Sequence, residues 1–145
     1  MKLICSKVLK GPEDWICCLK EYGGFLYSGS KDYNICAWND EDRDPVVKLE
    51  GHKAGVRVLH VHNGFLYSAA EDGEVRKWDQ NGACVAAMKG HGGRTVWALL
   101  SFQGDLFSCG DDHKIIHWKD VDSNNPSVGQ SIEGHLGAVY CMKAH

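Results

Sequence analysis

Residues 64–79, Gly64-Phe65-Leu66-Tyr67-Ser68-Ala69-Ala70-Glu71-Asp72-Gly73-Glu74-Val75-Arg76-Lys77-Trp78-Asp79, hold the pattern that decides the fold. Phe65 to Ser68 reads as a short strand, Glu71-Asp72-Gly73 as a tight turn, and Val75 to Trp78 as a second strand. The same pattern returns at a spacing of forty residues on either side. Gly24-Phe25-Leu26-Tyr27-Ser28 precedes it and Gly104-Asp105-Leu106-Phe107-Ser108 follows it. Trp38, Trp78 and Trp118 keep that spacing, as do Asp32, Asp72 and Asp112, and Ser28, Ser68 and Ser108. A fixed period of this length is the mark of a repeat architecture.

Working outward from this stretch completes one unit. Val56 to Val61 alternates as a strand does, and His62-Asn63-Gly64 turns the chain, Asn-Gly being a strong hairpin signal. Beyond Trp78, Gln80-Asn81-Gly82 makes a further turn before the strand Cys84 to Met88. Four short antiparallel strands per forty residues describe a propeller blade, and no segment carries an apolar helical period. The expected fold is therefore all-β, a partial propeller of four-stranded blades. The units are residues 11–50, 51–89 and 90–133. Residues 1–10, through Ile4 to Leu9, resemble the last strand of a preceding blade. Residues 134–145, in which Val139 to His145 aligns with Val56 to His62, are expected to form the first strand of a fourth. The insert Asp120 to Gln130 is turn-rich and polar and is expected to be a solvated outer loop.

The repeat resembles the WD40 family, whose units open on Gly-His and end on Trp-Asp. Gly51-His52, Gly90-His91 and Gly134-His135 match the first pair, and Trp78-Asp79 matches the second. Trp38-Asn39, Trp118-Lys119 and Gly11-Pro12 depart from it. The resemblance implies a hydrogen-bonded tetrad in each blade: His52, Ser68, Asp72 and Trp78 in the second, and His91, Ser108, Asp112 and Trp118 in the third. A buried carboxylate and a buried indole N–H both need partners, which such a set supplies. The first blade has Ser28, Asp32 and Trp38 but Pro12 in place of the histidine, so it is expected to be less rigid. Because Ser, His and Asp recur once per blade, they are read as structural and not as a catalytic triad.

Composition agrees with a binding module. The net charge of -3 offers no basic field for nucleic acid, and no apolar run is long enough to span a bilayer. The seven cysteines form no CxxC pair and sit mostly in apolar strands, so they are read as reduced residues of a cytoplasmic or nuclear protein. His60 and His62 share a strand face, and His113 and His117 stand four apart, but no Cys or carboxylate accompanies them at metal-ligand spacing. They are read as structural or surface histidines. No cofactor is expected, and the glycines mark hairpins and not a phosphate loop.

The expected function is a non-catalytic scaffold that grips peptides or protein loops. The alternative is a substrate-targeting module of a larger enzyme, such as a kinase or ubiquitin ligase. The family resemblance implies binding on the narrow top face. Blade by blade it implies Trp15, Cys17 and Lys31; Gly55, Arg57 and Glu71; Thr95, Trp97 and Asp111; then Ala138 and Tyr140, with Arg94 beside them. Trp, Tyr and Arg dominate interface hot spots, which makes Trp15, Arg57, Trp97 and Tyr140 the main candidates. Propellers close with four or more blades, so a longer chain, self-association or a second chain is expected to complete the ring.

Overall fold

Three two-residue reversals set the architecture of this computed structural model, which describes residues 8–41 and 44–144. Gly23-Gly24, Asn63-Gly64 and Gln103-Gly104 all hold positive φ at both positions. That is the backbone of a type I′ turn, whose twist matches the strands it joins. The turns connect β1 (Ile16–Tyr22) to β2 (Phe25–Ser30), β5 (Val56–His62) to β6 (Phe65–Ala70), and β9 (Val96–Phe102) to β10 (Asp105–Gly110). The units are completed by β3 (Ile35–Trp38) and β4 (Val47–Leu49), by β7 (Glu74–Trp78) and β8 (Cys84–Lys89), and by β11 (Ile115–Lys119) and β12 (Ser127–Ile132). Each group of four forms one antiparallel sheet in chain order. The strands read from the sequence of the second unit all appear, with ends moved by no more than two residues.

The sheets stack face to face as blades, and the alternation of side chains along each strand divides the core into two seams. Tyr27, Ile35, Ala37 and Leu49 of the first sheet meet Val56, Leu59, Leu66 and Trp78 of the second. On the opposite face of the second sheet, Tyr67, Ala69, Val75 and Met88 meet Val96, Leu99, Leu106, Ile116 and Trp118 of the third. Gly73 shows how tightly the loops also meet. It has φ +78°, and a Cβ there would lie 2.7 Å from Gly93 Cα, so no other residue fits without moving the neighbouring loop.

One expectation is changed by the structure, and two others concern the ends of the chain. The insert beginning at Asp120 is not wholly solvated. Val121 is buried in the second seam, where its carbonyl accepts from Tyr67 Oη at 3.0 Å and from Lys77 Nζ at 2.7 Å. Lys77 is fully buried, and its ammonium also lies 4.0 Å from the Phe65 ring centroid. Asn63 adds a bond to Asp122 at 3.0 Å, so the start of the insert is fastened to the second blade. Of residues 134–145, expected to form the first strand of a fourth blade, those described, 134–144, belong to no sheet. Val139 is tied to the third blade, donating its N–H to Gly110 O at 3.0 Å and accepting from Cys109 Sγ at 3.2 Å. The strand expected at Ile4 to Leu9 lies mostly outside the described residues, and Val8 to Lys10 carry no strand.

Candidate functional site

The tetrads are built where the Gly-His segment, the β6–β7 or β10–β11 turn and the third strand of a blade converge. In the second blade Trp78 Nε1–H donates to Ser68 Oγ at 2.8 Å, and Ser68 Oγ lies 2.7 Å from His52 Nε2. His52 Nδ1 is 2.9 Å from Asp72. A carboxylate only accepts, so Nδ1 carries the proton and Nε2 accepts from the serine. The third blade repeats this through His91, Ser108, Asp112 and Trp118, with bonds of 2.7–2.9 Å. Burial acts to raise the Asp72 carboxyl, but the bond from His52 and the amides of Lys53 and Glu74 outweigh it and hold it at about 2. Ser68 and Ser108 are fully buried, and each oxygen already accepts an indole N–H, so no substrate can approach either. In the first blade Asp32 keeps the amides of Glu13 and Asn34, at 2.9 and 3.0 Å. Ser28 Oγ and Trp38 Nε1 are buried there without a hydrogen-bond partner among the described residues, and Pro12 brings no imidazole to accept from the serine.

The top-face candidates are positioned by a device repeated in every blade. Lys31 N–H donates to Trp15 O at 2.8 Å, Glu71 N–H to Gly55 O at 3.0 Å, and Asp111 N–H to Thr95 O at 2.9 Å. Each bond sets a turn residue beside the start of the innermost strand. Immediately below, the pairing skips one residue: Cys17 between Ile16 and Cys18, Arg57 between Val56 and Val58, and Trp97 between Val96 and Ala98. A bulge of this kind re-aims its side chain, and here Arg57 and Trp97 each meet the turn residue of their own blade.

Arg57 Nε donates to Glu71 Oε1 at 2.8 Å, and Nη2 makes a second bond to the same oxygen. Its guanidinium lies 5.3 Å from the Trp97 ring centroid, and Nη1 reaches Cys17 Sγ at 3.8 Å. Trp97 Nε1 donates to Asp111 at 2.5 Å, and the Tyr140 ring is tilted against Trp97 with centroids 5.5 Å apart. Lys31 Nζ lies 5.5 Å from the Trp15 centroid. Lys31 and Glu71 both pack against Gly55, which links the two groups. Trp15 and Tyr140 are 74% and 65% exposed, whereas Arg57 and Trp97 are half-buried. Arg94 is exposed, Thr95 half-buried, and Ala138 only flanks Val139.

Sequence reasoning missed one polar cluster on the seam between β5 and β9. His60 Nε2 and His62 Nδ1 both reach Ser101 Oγ, at 2.7 and 2.8 Å. A hydroxyl has one proton, so at least one neutral ring must donate to it. Burial, the Lys20 ammonium and His62 push His60 down to about 4. Burial lowers His62 as well, against the opposing pull of Asp122 and Asp105 and with a smaller push from Lys77. Two histidines two apart on a strand signal a shared face; their serine lies in the next blade and has no local signature. Of the other pair, His113 is exposed, while His117 stacks on Phe107 with centroids 4.7 Å apart. Among the described residues, ligand-type atoms of His52, Asp72 and Glu74 lie within 4.8 Å of one another. Both His52 nitrogens are already bonded, and Glu74 is paired with Arg76 and Lys89.

Comparisons with known proteins accord with this geometry. The family model described as "WD domain, G-beta repeat" matches residues 3–39, 43–79 and 82–119. The chain has no significant match among curated proteins. Among solved structures, the computationally designed Ika4 protein superposes with a TM-score of 0.84 at 22% identity, over 99% of this chain and 88% of that one. U3-55K gives 0.79 at 23% identity, over 91% of this chain and 43% of that one. A chain of the mitotic checkpoint complex gives 0.74 at 23% identity, over 87% of this chain and 39% of that one. At these identities the likeness speaks for the fold alone. With three consecutive repeats matched, two of them on blades that carry the full tetrad, this chain belongs to the WD40-repeat family.

Proposed function

We propose that the chain is a non-catalytic interaction module that binds a peptide or protein loop on the rim formed by Trp15, Lys31, Arg57, Glu71, Arg94, Thr95, Trp97, Asp111 and Tyr140. The observation that carries this reading is the continuous contact from Tyr140 through Trp97 to Arg57 and Glu71, with Trp15 and Tyr140 left largely exposed at its two ends. Exposed aromatic residues held on a fixed frame lose little freedom on binding and present a large contact area. Members of this family serve in general as protein-interaction scaffolds, whether alone or as the targeting part of a larger enzyme. The six described cysteines are free thiols, which suits the proposed cytoplasmic or nuclear setting.

Trp15→Ala and Tyr140→Ala are expected to weaken capture of a partner from cell extract by about tenfold or more while leaving the melting curve in place. Full retention of the partner by both variants, measured by quantitative pulldown, would remove the rim as the binding site. Arg57→Ala is expected to weaken binding too, by releasing Trp97 and leaving the Glu71 carboxylate unpaired.

A further inference from the structure

We infer that the peptide taken by this rim is acidic, an inference that rests on the top-face reading above. The rim's two inward carboxylates are already engaged, Glu71 by the Arg57 guanidinium and Asp111 by the Trp97 indole N–H. Arg57 is engaged by that pairing, but the other cations on or beside the rim are not. Among the described residues, Lys31, Lys53 and Arg94 have no ion pair or side-chain hydrogen bond.

The three cations share one arc. Lys31 packs on Gly55, which follows Lys53 by two residues. The Lys53 amide donates to Asp72 at 2.9 Å. Gly73, next in the chain, packs against Gly93 and the Arg94 amide. The arc therefore crosses both seams, from the first blade to the third.

The aromatic faces point to the same sign of charge. Lys31 already lies over Trp15 and Arg57 over Trp97. A basic ligand would compete with these cations for the two tryptophan rings, and it would find both inner carboxylates bonded. An anionic ligand leaves those contacts intact and meets three uncompensated charges. Glu13 and Asp14 border the arc at the first blade, where Asp14 Oδ1 is turned onto the Trp15 amide at 2.7 Å. The acidic residues of a partner thus lie between Lys31 and Arg94, with an apolar side chain on Trp15 or Tyr140.

The test selects short random-sequence peptides displayed on phage against the whole chain, keeping only clones lost on both Trp15→Ala and Tyr140→Ala. These clones are expected to carry more Asp and Glu than Lys and Arg. A fluorescein-labelled synthetic copy of the commonest clone is expected to lose about tenfold in affinity on Lys31→Glu or Arg94→Glu and to weaken as salt rises. Arg94 is exposed and Lys31 half-buried, so unchanged melting curves will separate lost binding from lost folding. Rim-dependent clones that are basic or neutral, or affinities untouched by the charge reversals, overturn the acidic partner and leave the rim standing. The failure of any rim-dependent clone to emerge overturns both readings.

Discussion

Pro12 occupies the position that His52 and His91 hold in the other two blades, and the consequence is visible one residue at a time. Ser28 and Trp38 are as buried as Ser68 and Trp78, yet their side-chain polar atoms have no partners among the described residues. An unmet buried donor or acceptor costs about 1–3 kcal/mol, whereas a satisfied one contributes about 1 kcal/mol net. Pro12→His is therefore expected to raise the melting temperature by joining Ser28, Asp32 and Trp38, a gain of about 1 kcal/mol in calorimetry. A variant that melts at or below the parent would show that the first blade cannot accept the imidazole. In the opposite direction, Trp78→Ala removes a side chain 1% exposed from the first seam and an N–H from the tetrad. It is expected to cost about 3–5 kcal/mol in a denaturant titration, and an unchanged midpoint would contradict the blade packing.

Between elements, the His60–Ser101–His62 cluster fastens β5 to β9 and makes the seam responsive to acid. Both histidines are held below their ordinary value of 6.5 in the folded chain, His60 at about 4. Lys20 and Lys77 oppose protonation, while Asp105 and Asp122 favour it at His62. Because the folded value is the lower one, the unfolded chain binds more protons in this window, and stability falls as pH drops from 6.5 towards 4. The melting temperature is expected to decline across that range, and a His60→Gln, His62→Gln double variant to decline less steeply. Parallel pH profiles for the two proteins would rule the cluster out as the cause. The same seam shows why Lys77 escapes a pattern-based reading. Its charge is met by carbonyls of Val121 and Ser123, more than forty residues away in the chain.

At the scale of the molecule, the two end blades each keep one apolar face uncovered. Ile16, Leu19 and Leu26 are exposed on the first, at 55%, 59% and 37%. On the third, Leu100, Phe102, Phe107 and Ile115 line a cavity of about 580 Å³ under residues 135–144. Such surfaces in a propeller are normally covered by a neighbouring blade. The 145-residue chain is expected to self-associate in proportion to its concentration, and Phe102→Glu to shift it towards the monomer in sedimentation velocity. A wild-type mass that stays monomeric at every concentration would eliminate a second copy as the cover and leave a different chain or further blades to supply it.

The forty-residue spacing was enough to give the blade, its four strands and its hairpins, and the resemblance to WD40 repeats named the tetrad members of the second and third blades. These depend on local alternation, turn residues and a repeat that sets equivalent positions side by side. The same resemblance made Trp15, Arg57, Trp97 and Tyr140 the candidates for the rim, because a position within the repeat implies a place on the blade. Only the tertiary structure decided that Arg57 is bound to Glu71 and stacked on Trp97, that Ser101 joins two histidines, and that Val121 enters the core. Each of these contacts joins groups from different strands or blades, and no short-range period records which side chains will meet across a seam.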